Sequence, residues 1–310
     1  MNNKHYLLID GEGLLHQSFH RFAGFHTPEG VPSGAIYGFF KSLHRYFYRF
    51  QADDVYVVFD NGHSTYRTDI LPTYKAHRKN ISIDYDSLQK QKKVIMKFLR
   101  LLRIKYIYDK SRSCNYEGDD FLAYLILKYV PRKSKVTLVT SDKDFNQLVR
   151  GNAVKIFSPR KEQLVFESNC KNIFGYSARE TVDYLILVGD SSDDIPGYRG
   201  LGEKRARLFL DKYGSIAKYL EGDECLKDDP GHQKMREVYE KNTKLINLKW
   251  FVNNHPFEKL PIKTYPSGEV SLEKYKKLCV TYSLNTFLEK VFLNTFLDQI
   301  HRSYEKEKTE

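Results

Sequence analysis

Three apolar runs in this 310-residue chain each close on acid: HYLLID (5–10), DDVYVVFD (53–60) and KVTLVTSD (135–142). Short runs of this kind read as strands buried on both faces. Segments with helical spacing separate them. Ile36, Phe39, Phe40, Leu43 and Phe47 make one face of a helix over 34–49, with Lys41, Arg45 and Arg49 largely on the other. Further helical patterns cover 84–102 and 119–130, and VKIFS (154–158) with LVFES (164–168) reads as a strand pair. Strands alternating with helices predict an α/β fold: a central, mostly parallel sheet with helices on both faces. Functional groups in such sheets collect at the carboxyl ends of the strands. Asp10, Asp60 and Asp142 are therefore expected along one edge.

Two further acidic segments and the residues after Asp142 complete the constellation. Glu117, Asp119 and Asp120 stand in YEGDD, Asp144 follows Asp142 in TSDKD, and Asp190, Asp193 and Asp194 lie in GDSSDD. Each acid has a plain structural alternative. A strand-end aspartate forms turns or caps helices, and Asp119 and Asp120 suit the positive end of the helix they open. Gathered on one edge, however, so many carboxylates would repel one another and raise each other's pKa values. Divalent cations relieve that conflict. An all-oxygen donor set without His or Cys at ligand spacing selects hard ions, Mg²⁺ or Mn²⁺, over zinc. Two such ions roughly 4 Å apart suit phosphodiester hydrolysis.

Charge points the same way. Fifty Lys and Arg against 39 Asp and Glu give a net +11, which suits a polyanionic partner. In YRTDILPTYKAHRK (66–79), Lys75 and Arg78 lie three apart and would share a helical face able to clamp a phosphate. Tyr74 could stack on an unpaired base, and Arg67 is a further candidate DNA contact. The alternative is an amphipathic helix packing Tyr66 and Tyr74 inward. A second element, GYRGLGEKRARLFLDKYGS (197–215), has a Gly-rich turn with Gly200 and Gly202 opening a helix that carries Lys204, Arg205 and Arg207. Backbone N–H groups there can hold a DNA phosphate without reading sequence. Four widely separated cysteines with no CxxC spacing fit a reduced compartment, and no run is long enough for a membrane span.

With these residues in place, the chain resembles the 5′ nuclease domain of bacterial DNA polymerase I in stand-alone form and, more distantly, phage 5′ exonucleases and flap endonucleases. The resemblance runs through LLIDG, AIYGFFKSL, VVFD, YRTDILPTYKAHR, YEGDDFLA, VTSDKDFNQL, GDSSDDIPG and GEKRARLFLDKYGS, fading after about residue 260. It implies a PIN-like α/β nuclease domain over 1–170 with a helical arch at about 61–110. A helical DNA-binding region over 171–310 would follow, with a helix–three-turn–helix at about 185–215. It also implies a two-ion, structure-dependent 5′-3′ exonuclease or flap endonuclease acting on 5′-flapped, nicked or 5′-ended duplex DNA in replication and repair. Asp10, Asp60, Glu117, Asp119 and Asp142 would serve chiefly one ion, and Asp144, Asp190 and Asp193 the other. Asp120 would bridge or act from outside. Lys75 falls on the lysine that reaches the scissile phosphate and Arg78 on its basic partner. Carbonyls of the Gly-rich turn would hold K⁺. A cytoplasmic location follows, in a bacterium or a phage-infected host, with neither a membrane nor an obligate protein partner called for.

Four departures stand out. Gln17 replaces an arginine, with His16, His20 or Arg21 left to take over its phosphate contact. Glu12 is an extra acid without an assigned role. Asp194 replaces an asparagine, as an added ligand or a cap. Prolines are missing at Lys79, Asn80 and Ile81. An inactive DNA-binding module would have lost carboxylates, and a small-molecule phosphohydrolase would need neither the +11 nor the 197–215 element.

Overall fold

A computed structural model describes residues 4–60, 64–80, 84–108, 116–222, 229–255, 257, 262–263 and 270–305. The strands are β1 (His5–Asp10), β2 (Asp54–Val58), β3 (Lys105–Ile107), β4 (Lys135–Val139), β5 (Val154–Ser158), β6 (Gln163–Val165), β7 (Gly189–Asp190), β8 (Ile195–Pro196) and β9 (Ile262–Lys263). Seven make one sheet in the order β6-β5-β4-β1-β2-β3-β9. Strands β3, β2, β1, β4 and β5 run parallel, and only the edge strands β6 and β9 run antiparallel. Strand β1 sits between β2 and β4, so the sheet changes direction of growth at the strand carrying Asp10. That is the crevice where open α/β sheets place their sites.

Among the described residues the α-helices are α1 (Gly11–Arg21), α2 (Gly34–Phe50), α3 (Thr65–Ile70), α4 (Tyr85–Leu101), α5 (Gly118–Tyr124), α6 (Glu167–Phe174), α7 (Thr181–Val188), α8 (Glu203–Tyr213), α9 (Ile216–Glu221), α10 (Pro230–Ile246), α11 (Leu248–Asn254), α12 (Leu272–Thr281) and α13 (Lys290–Glu305). Alternation along the strands explains why both sheet faces are covered. Leu7, Ile9, Val55 and Val57 point into a core with α1, α2 and α4. Tyr6, Leu8, Tyr56 and Val58 point the other way, into a core with α5 and α11. The helical pattern expected to reach residue 130 closes as α5 and then a π turn over Leu125–Tyr129.

A third core joins α7, α8, α9 and α10 to Leu71 and Tyr74, so the base of the expected arch is packed onto the helical half. The last helices do not follow the expected division at residue 170. Phe287 and Phe296 meet Phe40, and Phe296 also meets Phe47, which returns α13 to the sheet's first core. Gln299 donates to the Ala52 carbonyl at 2.7 Å. Of the expected arch, 61–63, 81–83 and 109–110 lie outside the described residues, and with them Ile81 of the missing prolines. Among the described residues no helix is long and apolar enough to cross a membrane.

Candidate metal centre and nucleic-acid interface

Asp10 ends β1 and caps α1. Its Oδ1 accepts from Gly13 N at 2.8 Å and its Oδ2 from Thr140 Oγ1 at 2.9 Å. A side chain at position 13 would strike this carboxylate, since a Cβ there would lie 2.4 Å from Oδ2; glycine lets the acid fold over the helix start. Strand β4 stops at Val139, and Thr140 carries the chain into the cleft. Asp142 caps the short 3-10 turn Lys143–Leu148, accepting from Asp144 N at 2.9 Å. The capping alternative is thus true of both acids and does not compete with a ligand role, because a cap occupies one oxygen. Asp10, Gly13, Gln17, Thr140, Asp142 and Arg160 line a cavity of about 320 Å³.

The carboxylates around this cavity are in electrostatic conflict. Burial raises the pKa of Asp10. Burial, then repulsion from Asp142 and Asp10, pushes Asp119 well above the usual carboxylate range. Asp142 opens to solvent by area, yet the protein mass around its cleft and repulsion from Asp10, Asp193 and Asp190 push it up to about 6. Asp144 is raised by burial and by Asp142, Asp190 and Asp193, and its buried Oδ1 has no hydrogen-bond partner. Among the described residues no three acids close into a ready-made ligand cage. An orphaned buried oxygen beside mutually repelling acids nevertheless fits hard divalent cations, which would satisfy the first and neutralise the second.

A second group of acids is already paired. Arg67 is 3% exposed and grips Asp120 with two bonds, of 2.9 and 2.6 Å. It also stands 3.4 Å from Glu117 and donates to the Leu245 carbonyl. Arg67 is therefore no DNA contact; its bidentate geometry is spent inside the protein. Asp120, expected either to bridge or to act from outside, is fully buried; it gives both oxygens to Arg67 and one also to Glu117 N, which places it behind the Glu117–Asp119 segment. Although burial acts to raise Glu117, Arg67 and Lys75 hold it below the usual range.

Tyr74 does not stack on a base. It is 5% exposed, and its hydroxyl donates to Glu117 and Asp193 at 2.9 and 3.0 Å. The inward-packing alternative was the right one, since α3 ends at Ile70 and Leu71 and Tyr74 enter the third core. Lys75 and Arg78 do not share an α-helical face either. Lys75 sits at φ 55°, held by its N–H on the Asp193 carbonyl at 3.0 Å, ahead of a 3-10 turn over Ala76–Asn80. Left-handed backbone at a lysine is strained, and such strain collects at functional sites. Both cations converge on Asp193: Arg78 at 2.9 Å on Oδ1, and Lys75 at 3.6 Å from Oδ2 while it bonds Glu117 at 2.9 Å.

Asp190 is buried in the β7–β8 hairpin, its Oδ1 bonded by Ser192 N and Oγ, with Lys143 at 3.7 Å. Asp60 lies two residues past β2, where a Cβ on Gly118 would touch its N at 3.5 Å, so α5 starts against it. Asp194 acts as a cap on another element: at φ 56°, its Oδ2 accepts from His77 N and stands 2.8 Å from His77 Nδ1. Gln17 lines the cavity, and so does Arg160, which the sequence reading missed. The signal was SPRK after a strand, too common to single out. Thr140 was also missed, although it immediately precedes Ser141 and Asp142.

At the second basic element, Gly200 lies at φ 89° with open space where a side chain would stand, and Gly202, equally open, is the N-cap of α8. Lys204 and Arg205 are exposed, and Arg205 Nη1 donates to the Gly200 carbonyl at 3.0 Å. Arg207 points elsewhere. It packs on Gly175, donates to the Phe174 carbonyl at 3.3 Å and stands 3.4 Å from Glu203, which makes it a strut between α6 and α8 rather than a DNA contact.

Known proteins share this organisation. Residues 5–175 match the family described as 5′-3′ exonuclease, N-terminal resolvase-like domain, and residues 176–266 its C-terminal SAM fold. A 5′-3′ exonuclease of Aquifex aeolicus is 33% identical over 241 residues, spanning 78% of this chain and 80% of the relative. The thermostable DNA polymerase I of Thermus aquaticus is 33% identical over 221 residues, 71% of this chain but a quarter (25%) of the polymerase. The bacteriophage T5 flap endonuclease, solved with DNA and metal ions, superposes with a TM-score of 0.64 at 17% identity, covering 97% of this chain and 99% of that one. The catalytic core of Rad2 with DNA substrate superposes at 0.58 and 12% identity, covering 95% of this chain and 92% of that one. At those identities the structures speak to fold, and the sequence relatives to descent. This chain belongs to the 5′-3′ exonuclease family of nuclease hydrolases.

Proposed function

We propose that the chain is a structure-dependent 5′-3′ exonuclease and flap endonuclease, hydrolysing DNA phosphodiesters near 5′ ends or junctions with two divalent ions, Mg²⁺ or Mn²⁺. The observation that carries this reading is the orphaned, buried Asp144 Oδ1 among acids whose pKa values are raised by burial and by their mutual repulsion. Asp10, Asp119 and Asp142, with Asp60 and Glu117 beside them, would hold one ion, and Asp144, Asp190 and Asp193 the other. When bound, such ions supply an activated water and neutralise charge on the leaving oxygen. The T5 and Rad2 structures, with metal ions and DNA in the one case and DNA in the other, support the assignment by likeness of fold.

The chain's own residues do the rest. Thr140 and Gly13 N fix the Asp10 carboxylate so that no reorganisation is needed as charge develops. Arg67, through Asp120, fixes the start of α5 and hence Glu117 and Asp119. Lys75 and Arg78 bring positive charge to the same Asp193 edge, where a phosphate approaching the acids would meet it. The open Gly200–Gly202 turn with Lys204 would hold the duplex by its backbone. There the Gly200 carbonyl has Arg205 as its neighbour, and K⁺ would join it on the remaining carbonyls. Mapping products from 5′-flapped, nicked and blunt duplexes labelled at each end tests the reading. Cuts clustered at the flap junction and stepping in from 5′ ends support it, and cuts without regard to the 5′ end overturn it.

A further inference from the structure

We propose that Glu12 and Lys92 form a positioning pair that fixes the Asp60 corner of the carboxylate centre and ties it to α4. Glu12 lies in the first turn of α1, two residues beyond Asp10. Its Oε2 accepts from Lys92 Nζ at 2.6 Å and from Asp60 N at 3.3 Å. The same ammonium donates to the Asp60 carbonyl at 3.2 Å. One ion pair therefore holds Asp60's peptide N–H and C=O together, and so sets the direction in which the residue leaves β2. The lysine is buried, its side chain 6% exposed, with its ammonium 5.4 Å from the Phe59 ring centroid and 5.0 Å from that of Tyr108. The outer Glu12 oxygen has His16 Nε2 at 3.6 Å, an ion-pair distance rather than a hydrogen bond.

Desolvating two charges is a poor way to gain stability, because an apolar pair of similar volume usually does as well. The return here is orientation. Losing a group that holds a ligand from outside commonly costs about 10–100-fold in metal affinity or activity. Lys92 is 32 residues from Asp60 and belongs to a different element, so this contact also makes the seat of α4 part of the centre's geometry. The inference rests on the proposed two-ion reading.

The test compares wild type with Glu12→Gln, Lys92→Met and the double variant. Three quantities are read: the single-turnover rate on saturating 5′-flap DNA across a Mg²⁺ series, DNA affinity in Ca²⁺, and the Mg²⁺-induced rise in Tm without DNA. Glu12→Gln strands the buried Lys92 and Lys92→Met the half-buried Glu12, and each is expected to lose Tm and rate together. The double variant is expected to regain Tm but remain about 10–100-fold slow, the usual cost of losing such support. It should need several-fold more Mg²⁺, show a smaller Mg²⁺-induced Tm rise and bind DNA within twofold of wild type. A double variant with wild-type rate and wild-type Mg²⁺ midpoint overturns the proposal and leaves the pair purely structural. Should the double variant not fold, Lys92→Arg keeps the charge but changes its reach, and an unchanged Mg²⁺ midpoint there overturns the proposal equally. If wild type itself shows no Mg²⁺-dependent cleavage, the nuclease reading fails, while the difference in Mg²⁺-induced Tm still judges the pair.

Discussion

Lys75 Nζ lies 2.9 Å from Glu117 Oε2, so the cation expected to meet the substrate is paired with a carboxylate expected to meet the metal. The pair is closed in by Tyr74, whose hydroxyl shares the same Glu117 oxygen. The two charges therefore stabilise one another. Burial acts to lower the lysine's pKa, but Glu117, Asp193 and Asp119 outweigh it and keep the ammonium charged.

Lys75→Met should accordingly separate chemistry from binding. We expect the single-turnover rate at saturating DNA to fall by about 10²–10³, the usual cost of losing a preorganised electrostatic contact. DNA affinity in Ca²⁺ should change less than threefold. Rapid-quench kinetics and a binding titration check this, and an unchanged rate would remove Lys75 from the chemistry.

Arg67→Met should act through folding. The variant strands buried Asp120 and Glu117 without their guanidinium, and breaking such a pair costs about 3–5 kcal/mol. Denaturant unfolding should show that loss, while the folded fraction keeps its DNA affinity in Ca²⁺. A large affinity loss at unchanged stability would restore Arg67 to the interface.

Without metal, the protein should lose stability as pH rises. Asp119, Asp142 and Asp144 have folded-state pKa values raised above their unfolded ones, so the folded state holds their protons more tightly. Their ionisation costs nothing below about pH 4, where both states are protonated, and costs most above the folded values, beyond about 6 for Asp142. Glu117 is shifted the other way and already contributes fully above pH 5, so it adds no slope at neutral pH. In chelator, Tm should fall from pH 5 to pH 8. Asp144→Asn should raise the pH 8 value by about 2 °C, on the order of 1 kcal/mol, and Mg²⁺ should reverse that order by favouring wild type. Thermal unfolding across the series decides it. A metal-free Asp144→Asn less stable than wild type throughout would make Asp144 a structural residue.

Lys204→Ala should weaken binding to duplexes of any sequence alike and lower the salt dependence of log K by about one unit. Lys204 is exposed at the start of α8, beside the open Gly200–Gly202 turn. Affinities across a salt series provide the check. An unchanged slope would move the duplex off this turn.

Much of this was legible in the sequence because period and position carried it. The strand runs ending in Asp10, Asp60 and Asp142 report a parallel sheet directly, and they bring Asp10 and Asp142 close enough to repel each other. Partnership was not legible. Arg67, Tyr74 and Arg207 have compositions suited to DNA, but their contacts come from residues 53, 43 and 33 positions away. No local pattern states whether an arginine faces solvent or a buried aspartate. The return of α13 to the first core was hidden for the same reason, since an amphipathic helix shows which face it buries but not against what. Glu12 looked like a surplus acid because its partner Lys92 lies on another helix.

Metal dependence tests the central claim most directly. A 5′-flap duplex labelled at both ends, incubated with the protein in Mg²⁺, Mn²⁺, Ca²⁺ or excess chelator, should be cut near the junction with the first two only. Ca²⁺ should support binding without turnover, since its looser coordination does not meet the geometry of two-ion chemistry. A simple phosphomonoester offered in parallel should remain intact. Undiminished cleavage in chelator, or hydrolysis of the phosphomonoester with the flap left whole, would contradict the account.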